Sequence, residues 1–599
     1  EGPRPTVLYV TGHASEEGPD GRPLGSKAAY QRHPAWYARH GYVALTFDTI
    51  QLGEIDGVHH GTYRRGRWWW YNRGYNPLGV EVWNGMRAID LLEDRPKVDP
   101  ERIGVTGRSG GGAYAWFHAA LDDRVAVSVP TAGITDLRNY LVDEVLADHC
   151  DCMYMLNTYR WDFQTVAALS APRPVRLVNG DRDPLFPIDG VRRVYRKARE
   201  VWSLYGADDE FDLVVEPAAH EDTPAIQHAA FRFMHRHLKG ASDSLALDPD
   251  SGAAAPFDPA RLRVFEEVPE EALNPRIDEE FVPVAEVPPV PEASGEADRL
   301  VDRWMDGLRE KTFRGWPAAA GVPELNPVRT VTSSGLTLST YRIQTQDEIT
   351  LKLWRLEADP ETGSSNTSSA AESVSMLGDR GDVFSRLAVL DSTGWQDWVG
   401  ALRAGFGRGA AETAIGAGSE AFTWPEPRPE RFEQLRNRVA AGDTTVFVFA
   451  PRGIGPTRWT QDRPGYEIRR GFPLIGQTRD GMRAWDVRQV IRALESADGA
   501  SGPLELEASG AMAGVVLYAS LIEEAARRLV LRDLPSTHRD GPYLLQVRQV
   551  LDLPRAVATA ALRGQHVRLV GTDRSAWRWP LEVSDRTWTS GSVRMDEGR

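Results

Sequence analysis

The chain has few cysteines, no long apolar run and no excess of positive charge. Its 599 residues include 2 cysteines, Cys150 and Cys152, which are too few for a disulfide framework and leave the redox compartment open. No apolar stretch approaches the roughly 20 residues that a membrane-spanning helix requires. The formal net charge of -15 argues against a nucleic-acid or anionic-membrane partner, because both need a basic surface.

The length indicates more than one domain, since a domain usually has about 100–200 residues. We predict a catalytic domain over residues 1–240, a linker rich in proline and glutamate with one helix over 241–330, and a second domain over 331–599. The chain enters a β pattern within a few residues of Glu1. We therefore expect the opening strands of the first domain to lie upstream of Glu1, and targeting cannot be predicted.

Short apolar runs alternate with helical patterns over the first 240 residues. This alternation predicts an α/β fold with a mostly parallel sheet and crossover helices. The expected strands are 6–11, 43–47, 103–106, 125–129, 175–179 and 211–215.

The third of these strands runs into a G-x-S-x-G motif, Gly107-Arg108-Ser109-Gly110-Gly111, which is followed by a helical pattern. Strand, motif and helix in this order are typical of a nucleophile elbow, in which the serine hydroxyl stands at a helix N-terminus. We predict that Ser109 is the nucleophile.

A serine nucleophile needs a base and an acid that orients the base, in the order Ser, Asp, His on this fold. Asp183 follows the fifth strand and is the predicted acid, with Asp181 as the alternative. His220 lies in the loop after the sixth strand and is the predicted base. The oxyanion hole is assigned to the amides of Gly110 and of His13.

Residues 99–112, 120–125 and 220–224 resemble α/β-hydrolases of the acetyl xylan esterase-like and dienelactone hydrolase-like groups. The resemblance covers roughly residues 1–240. It implies serine ester hydrolysis, often of acetyl groups on plant polysaccharides such as xylan, without a metal or organic cofactor. Arg108 departs from the Cys-Ser-Arg pattern of glucuronoyl esterases and disfavours that group. A polysaccharide substrate would suggest a secreted or periplasmic protein.

Two segments carry candidate substrate-binding residues. An insert at 59–71 is rich in arginine and aromatic residues, which suit sugar rings or a substrate carboxylate; its tryptophans could equally plug the loop onto the body. A segment at 149–162 is expected to cap the pocket. The predicted substrate-binding residues are Arg108, Trp68, Trp69, Tyr159, Arg160 and Trp161.

The run His149-Cys150-Asp151-Cys152 contains metal-ligand residue types. Two thiols in a C-x-C run beside one histidine give poor tetrahedral spacing and no fourth ligand. We therefore predict no metal site.

An internal repeat relates the two halves. Residues 84–90 recur as 480–486, and 175–178 recur as 567–570. Between these anchors, Gly510–Gly514 has the glycine frame of an elbow, which puts Met512 opposite Ser109 and Ser575 opposite Asp183. No histidine follows residue 566, so we predict that the second domain is a catalytically degenerate α/β-hydrolase.

Two other functions stay open. The same triad serves serine peptidases of this fold. The second domain could instead bind carbohydrate or act as a scaffold through exposed aromatic residues such as Trp395, Trp398 and Trp459. The oligomeric state is not predicted.

Overall fold

The computed structural model describes residues 2–14, 16–17, 23–240, 256–318, 321–359, 384–416, 424–440, 444–459, 465–496, 503–523, 526–586, 588–589 and 591–596. The chain divides into two compact units. Unit 1 comprises Glu1–Pro283 with Tyr466–Gly476, and unit 2 comprises Val284–Gly465 with Gln477–Arg599.

These limits differ from the predicted boundaries at 240 and 330. The predicted linker is divided between the units, and its residues 241–255 lie outside the described part. Ala285 donates its amide to the Arg548 carbonyl, which joins the proline-rich stretch to unit 2. Tyr466–Gly476 belongs to unit 1, and its Leu474 is buried in the core of that unit. Sequence pattern alone gave no sign of this excursion.

Unit 1 contains a six-stranded sheet in which all strands are parallel. The strands in spatial order are β2, β1, β3, β4, β5 and β6. Their bounds are Arg4–Val10 (β1), Val43–Phe47 (β2), Val98–Arg108 (β3), Val125–Thr131 (β4), Val175–Gly180 (β5) and Phe211–Glu216 (β6). All six predicted strands are present, and the α/β fold class is confirmed.

Helices cover both faces of this sheet. The longer ones are Arg32–Arg39 (α1), Pro77–Glu93 (α2), Gly110–Leu121 (α3), Ile188–Leu204 (α4) and Pro224–Lys239 (α5); shorter ones are Ser26–Tyr30, Gly61–Arg64, Trp70–Arg73, Leu137–Leu141, Phe163–Ala167, Ile277–Glu280 and Gly465–Gly471, and a two-stranded ribbon joins Glu16–Glu17 to Pro23–Gly25. Consecutive side chains of β1 pack into hydrophobic clusters on opposite faces of the sheet. Leu8 packs with residues of α2 to α4, and Val7 packs with residues of α1 and α5. This alternation follows from the period of two along a strand.

Unit 2 contains a nine-stranded mixed sheet. Its strands are Asn326–Ser333 (β7), Leu336–Gln346 (β8), Ile349–Ala358 (β9), Phe384–Val389 (β10), Thr444–Phe449 (β11), Leu504–Ser509 (β12), Ala526–Arg532 (β13), His566–Val570 (β14) and Ser592–Asp596 (β15). Its helices are Ser294–Gly307 (α6), Ser392–Ile415 (α7), Pro429–Ala440 (α8), Arg479–Ser496 (α9), Gly510–Ile522 (α10), Leu553–Leu562 (α11) and Arg578–Ser584 (α12). The predicted hairpin is present as β8 and β9.

The two sheets share a strand order over six strands. The parallel strands of unit 2 lie in the order β11, β10, β12, β13, β14, β15, and β7 to β9 join antiparallel beyond β11. In both units, therefore, the second parallel strand of the chain lies on one side of the first strand. The third to sixth parallel strands lie on the other side of the first strand, in chain order. This shared order is the one that the predicted repeat requires.

Two predictions about surfaces can be compared with the structure. Trp395 and Trp398 are buried in the unit 2 core, so these two residues do not form the exposed aromatic patch that the binding alternative would need. Trp459 is partly buried. Among the described residues, no helix combines the length and the apolar character needed to cross a membrane.

Candidate active site

Ser109 lies at a sharp turn between β3 and α3. It precedes the first residue of α3 and has φ 59° and ψ -120°, a left-handed conformation that is strained for any residue other than glycine. A Cβ at Gly107 or Gly111 would collide with the carbonyl oxygen of Val10. Glycine at both positions therefore lets the strand and the helix approach β1 closely, and the turn holds the serine at the carboxyl end of the sheet.

The structure brings Ser109, His220 and Asp183 into one hydrogen-bonded series. His220 Nε2 lies 3.0 Å from Ser109 Oγ, and His220 Nδ1 lies 2.7 Å from Asp183 Oδ2. The other oxygen of Asp183 accepts the amides of Leu185 and Phe186. The Asp183 side chain is thereby fixed and buried, in the position from which a carboxylate orients an imidazole.

Asp181, the alternative acid, is exposed and forms an ion pair with its neighbour Arg182. Its main-chain amide bonds to the Glu216 carbonyl, which leaves Asp181 in the turn between β5 and α4. The geometry therefore favours Asp183.

The loop that contains His220 is held in place by contacts of Arg108, His33 and Asp222. Arg108 Nη2 donates to the main-chain carbonyl of His220 over 2.7 Å, and Asp222 Oδ2 lies 2.8 Å from His33 Nε2. Burial by itself raises the pKa of Asp222. The neighbouring His33 and Arg108 lower the pKa by more than burial raises it, so the pKa of Asp222 lies below its ordinary value. Sequence analysis missed His33 because its partner lies 189 residues away.

Arg108 was predicted to bind substrate. In the structure its guanidinium instead contacts the main chain of His220, the residue predicted to be the base. Arg108 directly precedes Ser109, and the side chain reaches from β3 to the loop after β6. The structure therefore gives Arg108 a contact with the loop of the predicted base, and substrate binding by Arg108 stays a prediction.

Gly110 begins α3, so its amide stands at the positive end of a helix. The His13 ring packs against it: a Cβ at Gly110 would lie 2.7 Å from His13 Cε1. The proposed role of the Gly110 and His13 amides as an oxyanion hole stays a prediction.

The tryptophans of the 59–71 insert are mostly interior. Trp70 is buried and donates its indole N–H to Asp278 over 2.9 Å, and Trp69 is 8 % exposed. The guanidinium of Arg469 lies 4.0 Å from the Trp68 ring centre. Trp69 was one of the predicted substrate-binding residues, but it does not form an exposed platform for a sugar. A short helix begins at Trp70 and turns these rings inward, which agrees with the alternative that they plug the loop onto the body.

The second predicted binding segment is exposed. Tyr159 and Trp161 are 58 % and 42 % exposed, and their rings stack with centres 5.3 Å apart. Arg160 between them is also exposed and has a left-handed backbone, with φ 56°. A turn of this kind lets residues on either side of it face each other, and it presents a paired aromatic surface.

The two cysteines contact histidines other than His149, which is their neighbour in the sequence. The buried ring of His149 packs against Tyr140 and Phe186 and has no hydrogen-bond partner in the described part of the chain. Two other imidazoles contact the thiols, forming a group that we call the thiol–imidazole cluster: His13, His59, Cys150 and Cys152. The sequence analysis found no fourth ligand because His13 and His59 lie in other loops.

In unit 2 the residue that follows the corresponding strand end is Gly510, not Met512. Ser509 pairs with Arg532 as the last residue of β12, just as Arg108 pairs with Thr131 at the end of β3. The next residue, Gly510, has φ 57°, close to the 59° of Ser109. Met512 is the third residue of α10 and is buried. Strand ends therefore put Gly510 opposite Ser109, two residues before the predicted Met512, because the prediction matched glycines rather than strand ends.

Comparison with known proteins gives matches over part of the chain. Residues 33–145 match the sequence profile of the family "Glucuronyl esterase, fungi". The protein "Putative hydrolase YtaP" of Bacillus subtilis (strain 168) is 28% identical over 247 residues, which is 40% of this chain and 80% of YtaP. The "4-O-methyl-glucuronoyl methylesterase" of Phanerochaete carnosa is 24% identical over 228 residues, 33% of this chain and 56% of that protein.

Among solved structures, a carbohydrate esterase family 15 glucuronoyl esterase from Caldicellulosiruptor kristjansonii is 18% identical. It covers 42% of this chain and 75% of its own, with a TM-score of 0.31. The sequence matches do not bear out the inference that Arg108 sets the chain apart from glucuronoyl esterases. Over part of its length the chain is therefore similar to glucuronoyl esterases and to a putative hydrolase.

Proposed function

We propose that unit 1 is a serine carbohydrate esterase that uses Ser109, His220 and Asp183. The observation that carries the proposal is the hydrogen-bonded series from Asp183 through His220 to Ser109. It joins three residues that lie in separate loops at the carboxyl ends of β3, β5 and β6, the edge at which open α/β sheets hold their ligands.

The chemistry follows from these positions. His220 Nε2 removes the Ser109 proton as the hydroxyl attacks the ester carbonyl, and Asp183 stabilises the imidazolium that forms. The Gly110 and His13 amides stabilise the oxyanion. His220 then protonates the leaving alcohol, and water, activated by the same imidazole, cleaves the acyl-enzyme and restores Ser109.

The preferred substrate class is an ester of a sugar carboxyl group. Support comes from the glucuronyl esterase family match and from the relative named as a glucuronoyl methylesterase. An acetyl ester on xylan is the second candidate, favoured by the resemblance of residues 99–112 to acetyl xylan esterase-like proteins. In the first case the sugar remains on Ser109 as the acyl group, and in the second it leaves as the alcohol.

The experiment compares both ester types with the full chain. Hydrolysis of the methyl ester of 4-O-methyl-D-glucuronic acid, of acetylated xylan and of 4-nitrophenyl acetate is measured for wild type and Ser109→Ala. Ser203→Ala is the matched control, since Ser203 is exposed on unit 1 outside the triad. We expect the Ser109 variant to lose about 10⁴-fold or more in rate and the control to keep full activity.

Each outcome separates the proposals. Faster turnover of the glucuronate ester than of acetylated xylan supports the uronoyl substrate, and the reverse order supports the acetyl substrate. Full activity of Ser109→Ala would overturn the triad. Cleavage of peptides but of neither carbohydrate ester would favour the serine peptidase alternative.

We also infer that unit 2 is a degenerate copy of the hydrolase fold. Support comes from its strand order and from Gly510, which has no nucleophilic side chain at the elbow position. Ser575 lies five residues after Val570, as Asp183 lies five residues after Val178, and these two valines have equivalent pairings in their sheets. The loss of about 10⁴-fold or more in Ser109→Ala is also the result expected if unit 2 is inactive; activity retained at about 1% of wild type or more would contradict this inference.

A further inference from the structure

Two thiols and two imidazoles converge in the interior of unit 1. The Sγ atoms of Cys150 and Cys152 lie 3.0 Å apart. His59 Nε2 lies 3.2 Å from Cys150 Sγ and 3.1 Å from Cys152 Sγ. His13 Nε2 lies 3.5 Å and 3.1 Å from the same two sulfurs. Each sulfur therefore contacts both imidazoles, and all four ligand atoms lie within 4.8 Å of one another.

These separations suit a common tetrahedral ion. Zinc bonds of about 2.3 Å to sulfur and about 2.0–2.1 Å to nitrogen place tetrahedral ligand atoms about 3.3–3.8 Å apart. The sulfur–nitrogen distances of the cluster, 3.1 to 3.5 Å, lie close to this range. The two sulfurs are 3.0 Å apart and would separate by about 0.8 Å on binding. Two sulfurs with two nitrogens are a donor set that favours zinc over magnesium or calcium.

The cluster is also enclosed. Cys150, Cys152 and His59 are buried, and His13 is partly buried. His59 Nδ1 has no hydrogen-bond partner in the described part of the chain and faces the buried Glu81 carboxyl, whose Oε1 lies 3.9 Å away. A carboxylate behind a histidine ligand is the usual arrangement for orienting the ring toward a metal.

The ligands come from three loops at one edge of the sheet. His13 follows β1, His59 follows β2, and the two cysteines follow β4. Arg470, which is fully buried, donates to the carbonyls of Leu146 and His149 and so fixes the segment that carries the thiols. The supporting contacts are therefore provided by residues distant in the sequence.

We propose that the thiol–imidazole cluster binds one Zn²⁺ ion in a closed, four-coordinate structural site. Binding replaces the two thiol protons with two zinc–sulfur bonds and releases both protons to solvent, without oxidation or reduction. Four protein ligands leave no open position for water, so the ion does not act on the ester. Its effect is to hold His13 against Gly110, next to Ser109.

The test is metal content, measured on the full chain purified under reducing conditions without a metal-affinity column. We expect about one zinc per chain by elemental analysis. His59→Gln and Cys152→Ser should each lower zinc occupancy at least fivefold. His60→Gln is the matched control, because His60 is the next residue and its ring packs against the rings of His59 and Tyr63 without belonging to the cluster; it should retain the zinc.

A second measurement covers the case in which the variants fail to fold. Wild-type chain is stripped with a chelator and loaded with Co²⁺, and thiols are counted after denaturation. Intense visible bands of tetrahedral Co²⁺ with thiolate ligands, and two thiols per chain, support the proposal. Absence of bound zinc in wild type, even after incubation with Zn²⁺, would overturn it, as would a Cys150–Cys152 disulfide in chain purified without added reductant. These readouts do not depend on esterase activity.

Discussion

The guanidinium of Arg108 donates a hydrogen bond to the main-chain carbonyl of His220. This contact joins the residue before the proposed nucleophile to the proposed base, across 112 positions of sequence. Because the acceptor is a backbone atom, the bond fixes the loop itself and leaves the imidazole free to contact Ser109. The elbow and the base are thus held by one side chain.

Arg108→Met should lower kcat for ester hydrolysis by about 10–100-fold, the loss expected when a hydrogen bond from a charged donor worth about 1.5–3 kcal/mol no longer positions the base. KM should change little. Arg108→Lys keeps one donor and should recover part of kcat. Steady-state kinetics on a small ester measures both constants. A rise in KM with kcat unchanged would instead indicate that Arg108 binds substrate, as the sequence suggested.

Asp183→Asn should lower kcat by about 10⁴-fold, because an amide cannot stabilise the imidazolium and favours the wrong tautomer of His220. Asp181→Asn is the matched control two residues away; its carboxylate is exposed and paired with Arg182. It should keep near wild-type kcat. The reverse pattern would transfer the role of the acid to Asp181.

The stacked pair of Tyr159 and Trp161 should matter for a large substrate only. The double substitution to alanine should raise KM for a polysaccharide ester about 5–100-fold, since each aromatic stacking contact is worth about 0.5–1.5 kcal/mol. KM for 4-nitrophenyl acetate should not change. Trp83→Ala removes another exposed tryptophan and should affect neither constant. Equal KM values for the wild type and the double variant on polysaccharide would exclude this surface from binding.

Arg470→Ala should destabilise unit 1 by about 3–5 kcal/mol, because it leaves the buried Asp151 with an uncompensated charge. Arg469→Ala removes a stacking cation over Trp68 and should cost only about 0.5–1 kcal/mol. Calorimetry of the full chain measures the shift in unfolding temperature caused by each variant. Equal small shifts for both variants would show that Arg470 is not an anchor.

Asp222 should make stability depend on pH. Its folded pKa is lowered, so the ionised carboxylate stabilises unit 1 above the unfolded pKa of about 3.9, and this contribution is lost as pH falls through the lower folded value. Asp222→Asn should therefore cost about 1.5–3 kcal/mol at pH 7 and at pH 5, and less below pH of about 4. Thermal unfolding of both proteins across this range measures the difference. The same difference at every pH would exclude the charge of Asp222 as its source.

Features set by local pattern could be predicted from the sequence. Alternating apolar runs located all six strands of unit 1, because a buried parallel strand needs little more than β-branched and apolar residues. The glycines around Ser109 identified the elbow, since the turn admits no Cβ at Gly107 and Gly111. Asp183 and His220 could be selected because the fold puts the acid and the base in loops after known strands.

Tertiary structure decided which distant residues meet. His59 and Cys150 are 91 positions apart, and Arg470 lies 324 positions from Leu146. No local pattern encodes such pairs, because they depend on strand order and on how loops pack at one edge of the sheet. Gly510 of unit 2 is the converse case: glycine spacing predicted that Met512 corresponds to Ser109, whereas the strand register puts Gly510 directly after the strand end. The sequence by itself determined the elements and the residue types of the proposed triad, whereas packing between remote loops determined the thiol–imidazole cluster and the contacts that hold the loop of His220.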